Sequence, residues 1–332
     1  MYTQHYGLTD RPFQLTPDAR FWFDSRTHKK AMAYLGYGLA QGEGFITVTG
    51  EIGAGKSTLA AHLLSTIDRE RLNAVSLVST QVEGDDMLRL AAQGFGLPTD
   101  GLEKAQILDR MEQLLAEEAA RGKRSLLIVD EAQSLATSAL EELRMLSNFT
   151  RHGRALLQII LLGQPEFRDR LAEEGLEQLH QRVIATHHLD AMEPAELEPY
   201  LVHRLTVAGW QGRPVFEEGA FAAIHRHTGG IPRRVNQLAN RVLLYGAVEN
   251  LERITAAAVE AVAADRASDR PQRRMAAVQG APESVVDSAV ERRVAQLESR
   301  LEEQEIVLRR VLTLLVDWVE NSEAPGYRSN AA

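Results

Sequence analysis

Eight consecutive residues constrain this chain more than any others: Gly50-Glu51-Ile52-Gly53-Ala54-Gly55-Lys56-Ser57. They match G-x-x-x-x-G-K-[ST] at every fixed position. The apolar run Phe45–Thr49 precedes them, and the helical pattern Lys56–Ile67 follows. Strand, glycine loop and helix in that order form a phosphate cradle. Glycines let successive backbone N–H groups face one anion, and the helix N-terminus adds partial positive charge. In such a loop the lysine, here Lys56, reaches the β- and γ-phosphates, and the hydroxyl, here Ser57, ligates Mg²⁺. Gly50 through Thr58 are the expected nucleotide-binding residues.

A second element supports this reading. Leu126–Val129 is a short apolar run ending in Asp130-Glu131. In P-loop enzymes an aspartate at this strand end holds Mg²⁺, and a following glutamate orients the attacking water. Ser57 and Asp130 are therefore the expected metal ligands, with Lys56 and Glu131 in catalysis and ATP and Mg²⁺ as cofactors. No N-K-x-D sequence specifies guanine.

Around these motifs, apolar runs alternate with helical patterns. Phe45–Thr49, Ala74–Val78, Leu126–Val129, Leu156–Leu162 and Val183–Leu189 read as strands, with helices at Lys56–Ile67, Asp85–Phe95, Lys104–Arg121 and Ser138–Phe149. Buried strands alternating with helices predict an α/β fold with a parallel sheet covered on both faces. Residues 41–192 are the expected core. Residues 1–40, rich in aromatics such as Tyr6, Phe13, Phe21, Trp22 and Phe23, are expected to pack on it. Residues 193–264 look entirely helical, with candidates at Ala195–Ala208, Glu217–Thr228, Pro232–Val248 and Thr255–Ala264. They read as a smaller helical lid.

Residues 265–284 read as a linker, carrying Arg266, Arg270, Arg273 and Arg274, and 321–332 as a disordered tail. Between them, 285–320 reads as a coiled coil. Val294, Leu301, Leu308 and Leu315 occupy one seam position, and Val290, Leu297, Val311 and Trp318 the other, with Gln304 as the polar exception. Val307, Leu312, Leu314 and Val319 then widen the apolar face beyond Glu305. That pattern favours three or more strands, or docking onto a partner helix or membrane surface.

Composition removes several alternatives. There are 0 cysteines, which excludes disulfide scaffolds, zinc fingers, iron–sulfur sites and thiol nucleophiles. His187-His188 and His225-x-His227 lack a third ligand at a recognisable spacing. The net charge of -9 disfavours nucleic acid as a partner. The opening MYTQHYGLTDRPF has no secretory pattern, and no apolar run approaches the ~20 residues of a membrane span. The expected location is the cytoplasm.

Several further segments resemble a known family. The strand ending in Asp-Glu, the run Gly163-Gln164-Pro165 and the segment Gly229-Gly230-Ile231-Pro232-Arg233-Arg234 look like those of an AAA+ ATPase. The opening Tyr6-Gly7-Leu8, Arg11-Pro12-Phe13, Thr16-Pro17-Asp18 and His28 resemble the general secretion pathway A (ExeA-like) ATPases. So do Leu140–Phe149 and Gln164-Pro165-Glu166-Phe167. The similarity covers about 1–264 and runs strongest toward short members associated with exosortase and exopolysaccharide loci.

The resemblance implies a γ-phosphate-sensing polar residue at Gln164 and a lid arginine at Arg233. It also implies an arginine inserted into a neighbour's site at Arg182, with Arg168 and Arg170 as rivals. Arg233 has its own physical argument. Cations at a helix N-terminus oppose the dipole, so an arginine pair there is explained by a nearby anion. The resemblance further implies a homo-oligomer working with a protein partner in an inner-membrane export or polysaccharide assembly, peripheral to that membrane. Secretion-type members continue into a membrane helix and a peptidoglycan-binding domain. The heptads stand there instead, so peptidoglycan binding is not expected. Two other readings are a slow ATP-dependent switch or scaffold recruiting partners through the coiled coil, and a DNA-binding ATPase of the transposition type.

Overall fold

The computed structural model describes residues 2–16, 18–78, 83–173 and 175–268. The expected coiled coil over 285–320, the tail over 321–332 and all but the first residues of the expected linker lie outside them.

The described residues form one compact unit. Its first long helix, α1 (Arg26–Gln41), is capped by Ser25, whose side chain accepts from His28 N–H. The helix ends at Gly42 with φ 76°. Then come β1 (Phe45–Gly50), α2 (Lys56–Thr66), β2 (Leu72–Val78), α3 (Gly84–Gly94) and α4 (Lys104–Ala120). These are followed by β3 (Arg124–Asp130), α5 (Thr137–Leu146), β4 (Leu157–Gly163), α6 (Pro165–Leu171) and β5 (Val183–Leu189).

The five strands form one parallel sheet in the order β2-β3-β4-β1-β5. β1 and β4 are buried along their whole length, which is why they read as unbroken apolar runs rather than alternating ones. Alternate residues still serve opposite faces. Leu127, Val129, Ile159 and Leu161 pack with α3–α6, while Leu126, Ile128, Ile160 and Leu162 pack with Leu35 of α1 and Leu59 of α2.

The register brings the strand ends together. Thr49 pairs with Gly163, Gly50 with Leu189, and Val78 with Asp130. The segments after β1, β3, β4 and β5 therefore emerge along one edge of the sheet.

Four helices follow: α7 (Pro194–Val207), α8 (Glu218–Thr228), α9 (Pro232–Val248) and α10 (Ala256–Ser268). They share an apolar cluster that also takes in Tyr2, Tyr6, Leu8 and Phe13. The N-terminal segment is thus divided, with its first residues among these helices and Ala31 and Leu35 beneath the sheet.

Two features depart from the sequence reading. The 193–264 stretch is not wholly helical, because Val215–Phe216 pairs in parallel with Arg253–Ile254. Two-residue strands are too short for a period to register. In addition, α10 runs through Ser268, past residue 265 where a linker was expected. Ala and Arg are good helix formers. A second small pairing, Thr150–Arg151 with Arg154–Ala155, precedes β4.

Candidate functional site

The glycine loop leaves β1 and enters α2. Gly53 and Gly55 have φ of 86° and 104°, a region that side chains other than glycine rarely adopt. Both glycines are also hemmed in. A Cβ on Gly53 would meet Arg233 Cβ at 2.3 Å, and one on Gly55 would meet His28 Nε2 at 2.6 Å. Lys56 is buried, and its Nζ donates to Gly50 O at 2.7 Å and Glu51 O at 3.1 Å. Burial lowers its pKa, and the carboxylates of Glu131 and Asp130 work against that shift.

The end of β3 lies beside the loop. Ser57 Oγ donates to Asp130 Oδ2 at 2.5 Å, and Glu131 N–H donates to Asp130 Oδ1 at 2.8 Å. Two oxygen donors this close suit a hard cation that takes its remaining ligands from phosphate and water, as Mg²⁺ does. Among the described residues no cluster of three or more His, Cys, Asp or Glu side chains offers an all-protein metal cage.

Glu131 turns the chain with φ 57° and ψ 38°. A non-glycine residue held there costs about 1–3 kcal/mol and marks a site whose surroundings impose the conformation. Its Oε2 accepts from Gln133 Nε2 at 2.5 Å and from Gln164 Nε2 at 3.4 Å. Gln164 follows β4 at the same sheet edge and starts α6. Its own N–H donates to Gln133 Oε1 at 3.0 Å.

Arg233 reaches the loop from the other helical layer. Its N–H donates to Gly53 O at 3.1 Å. Pro232 opens α9 without a donor to leave unsatisfied. The preceding turn is clamped to the segment after β5, with Met192 N–H donating to Gly230 O at 3.0 Å and His225 Nε2 2.9 Å from Met192 O.

A cavity of about 280 Å³ joins these groups. Ile52, Gly53, Gly55, Lys56, Ser57, Thr58, Glu131, Gln164 and Arg233 line it, while Gly50, Glu51, Ala54 and Asp130 are not among the lining residues. The lining also includes an aromatic and apolar group, Phe21, Trp22, Phe23, Met192 and Tyr200, with Arg204 and Asn236 among it and His28 at the loop.

Trp22 stacks on His62 of α2 with centroids 4.1 Å apart. His28 lies 2.6 Å from Ser25 Oγ through Nδ1, and burial pushes its pKa down to about 4. Tyr200 donates to Asn236 Oδ1 at 2.8 Å, and the Arg204 guanidinium lies 4.8 Å from the Phe21 ring centroid. The sequence reading did not assign this aromatic group. The concentration of aromatics before β1 was its only signal.

Arg182 is not part of the cavity. It directly precedes β5, and its carbonyl accepts from Phe45 N–H at the start of β1. It therefore sits roughly 20 Å from the glycine loop, the length of a six-residue strand. Its Nη1 lies 3.2 Å from Ser147 Oγ and 3.3 Å from Ser147 O. Arg170 braces the turn after β3, donating to Leu135 O at 2.6 Å and Gln133 O at 3.2 Å. Arg168 is exposed on α6. The histidine pairs make ordinary local contacts: His187 with Thr27 O, His188 with Thr49 Oγ1, His225 with Met192 O and His227 with Glu260.

This strand order, loop and cavity define a P-loop ATPase of the AAA+ class, and residues 39–171 match the AAA domain family. Within that class the chain is ExeA-like. It is 39% identical over 245 residues to general secretion pathway protein A of Aeromonas hydrophila, covering 74% of this chain and 44% of that protein. The chain thus spans less than half the length of that relative. Among solved structures, the Aeropyrum pernix ORC2 protein in its ADP form superposes with a TM-score of 0.59 at 18% identity, over 78% of this chain and 73% of that one. The Aeropyrum pernix ORC1 protein in complex with DNA superposes with a TM-score of 0.57 at 15% identity, over 77% and 69%. At such identities the likeness is one of fold.

Proposed function

We propose that the chain binds and hydrolyses Mg²⁺-ATP, and that hydrolysis drives or regulates the assembly of an export or surface-polymer system. One observation carries the catalytic part. Lys56, Ser57, Glu131, Gln164 and Arg233, from four separate segments, converge on one cavity whose lining is in part aromatic. The phosphates lie on the loop amides, within reach of Lys56. The base and ribose lie toward Phe21, Trp22, Met192 and Tyr200. Ser57 and Asp130 hold Mg²⁺, which when bound neutralises charge on the β- and γ-phosphate oxygens. Glu131 orients the attacking water, and Gln164 and Arg233 read the γ-phosphate from the sheet edge and from the helical layer. Closing the two layers on the nucleotide excludes bulk water, which strengthens each of these interactions.

Arg182 has a different place in this scheme. At the far end of its own sheet it serves only a neighbouring copy, where an arginine finger is worth about 10³–10⁵ in rate. That makes a homo-oligomer part of the reading. The similarity to general secretion pathway protein A supports an export-related partner, while the inner-membrane and surface-polymer setting rests on the resemblance of the sequence motifs alone. No described helix is long and apolar enough to cross a membrane, so any membrane association assigned to the described residues is peripheral. A DNA-binding role has only the shared fold in its favour, with the net charge of -9 against it.

The test is ATP turnover per protomer as a function of protein concentration, for the wild type and Arg182→Ala. A wild-type rate that rises with concentration, with a mutant that stays low and flat, is expected. A low rate independent of concentration transfers the reading to a slow nucleotide-dependent switch or scaffold.

A further inference from the structure

Among the described residues, Gln133 hydrogen-bonds both Glu131 and Gln164, the two groups placed around the scissile phosphate. It lies in the single helical turn Ala132–Ser134 that follows β3. Its Nε2 donates to Glu131 Oε2 at 2.5 Å, and its Oε1 accepts from Gln164 N–H at 3.0 Å. Its carbonyl accepts from Arg170 Nη1 at 3.2 Å, and the same nitrogen donates to Leu135 O at 2.6 Å. One amide is thereby fixed at both ends, and Arg170 fixes the backbone that carries it.

The distribution of these bonds over the carboxylate matters more than their number. Both amide donors, Gln133 Nε2 and Gln164 Nε2, converge on Oε2. An ionised carboxylate can accept on both oxygens. Loading one oxygen with two donors sets the rotation of the carboxylate and leaves Oε1 to accept from water. A base must stand within about 2.6–3.2 Å of the proton it takes. Glu131 sits on a strained left-handed turn, where its backbone alone does not set its side-chain direction.

We propose that Gln133 is a positioning residue for ATP hydrolysis. It orients Glu131 so that one carboxylate oxygen faces the attacking water, and it ties that orientation to the placement of Gln164 at the start of α6. The proposal rests on the reading of Glu131 as the water-orienting group. Gln133 itself touches neither nucleotide nor water in this scheme. Its removal therefore lowers the chemical step and leaves ATP binding intact.

The experiment is a double-mutant cycle on the full chain with Gln133→Ala, Glu131→Gln and the combination. It reads kcat, the Kd for ATP from a fluorescent analogue, and Tm. Gln133→Ala is expected to lower kcat about 10- to 100-fold, the scale of a misplaced catalytic group, with Kd changed less than about twofold. On the Glu131→Gln background the same substitution is expected to change the residual rate less than about twofold, because the group it positions is gone.

Wild-type kcat in Gln133→Ala overturns the proposal while leaving Glu131 untouched. An equal loss of rate on both backgrounds assigns Gln133 a purely structural role and also overturns it. A wild-type rate in Glu131→Gln removes the reading of Glu131 itself, a result distinct from either. If Gln133→Ala does not fold, Gln133→Asn takes its place. It keeps the amide but is one methylene short of spanning Glu131 and Gln164, and the same outcomes decide.

Discussion

The adjacent glycines between α8 and α9 allow the join between sheet and lid to be measured. Gly229 and Gly230 have φ of 62° and 71°, so alanine at either position is placed in the left-handed region. That costs about 1–2 kcal/mol in each case. Their surroundings differ. A Cβ on Gly229 meets nothing within 4 Å, whereas one on Gly230 meets Met192 O at 2.2 Å and His225 Nε2 at 2.9 Å. Met192 O is backbone and cannot rotate aside. The turn must move, and the bonds from Met192 N–H to Gly230 O and between His225 and Met192 O are broken or stretched. At about 0.5–1.5 kcal/mol each, their loss adds about 1–3 kcal/mol that Gly229→Ala does not incur. The displacement also has a functional reading. Arg233, one turn downstream, holds Gly53 O through its N–H. Urea midpoints at constant slope measure the stability difference, and titration with a fluorescent ATP analogue measures affinity. Gly230→Ala should be the less stable variant by that margin and should also bind ATP more weakly. Gly229→Ala should lose stability alone. Equal losses in the two variants, in either measurement, refute the clamp.

Two further outcomes follow from the cavity. Burial lowers the pKa of His28 from 6.5 to about 4, so between these values the unfolded chain binds the extra proton. Stability is fully present above pH 6.5 and is lost as pH falls toward 4, by about 3 kcal/mol at most; a urea series over that window should show the slope, and His28→Gln should flatten it. Trp22 lines the cavity and stacks on His62. Adding Mg²⁺-ATP should change tryptophan emission in the wild type, and the change should vanish in Trp22→Phe.

Sequence reading went furthest where the signal is local to a segment. The glycine loop, the Asp130-Glu131 strand end and Arg233 behind a Gly-Gly-Ile-Pro turn each carry their own spacing. β1, β3 and β4 were legible because near-complete burial leaves unbroken apolar runs, whereas the edge strands β2 and β5 are only partly buried. What stayed hidden was assembled from distant pieces. Trp22, Met192 and Tyr200 line one cavity, yet they lie in the segment before β1, the turn after β5 and α7. Nothing in any one of these segments announces the other two. Gln133 was passed over because a glutamine after a strand is unremarkable until its two hydrogen-bond partners are known. The position of Arg182 before β5 could be read from order alone, but only the sheet register shows that this is the end away from the loop.

A second join between the glycine loop and the helical layer runs through the first turn of α1. At the start of α1, His28 packs on Gly55 of the loop, while Thr27 Oγ1 accepts from Asp190 N–H at 3.0 Å and Thr27 O lies 3.1 Å from His187 Nε2. Arg26 N–H donates to Glu196 Oε1 at 2.7 Å, and its guanidinium pairs with Glu193, the cap of α7. These contacts are unequal in strength. The Arg26–Glu193 pair is exposed on both sides, at 64% and 58%, and such pairs are worth little. The Thr27 bonds are partly shielded and fix backbone on both partners, as does the Glu196 carboxylate on the α1 N-terminus, where the helix dipole favours it. Displacing His28 at the loop therefore strains Thr27 and the strand end it holds before it strains the surface ion pair. A substitution at Thr27 is the more direct way to loosen the end of β5 from the first turn of α1, and removing the exposed Arg26 charge the less effective way to perturb this join.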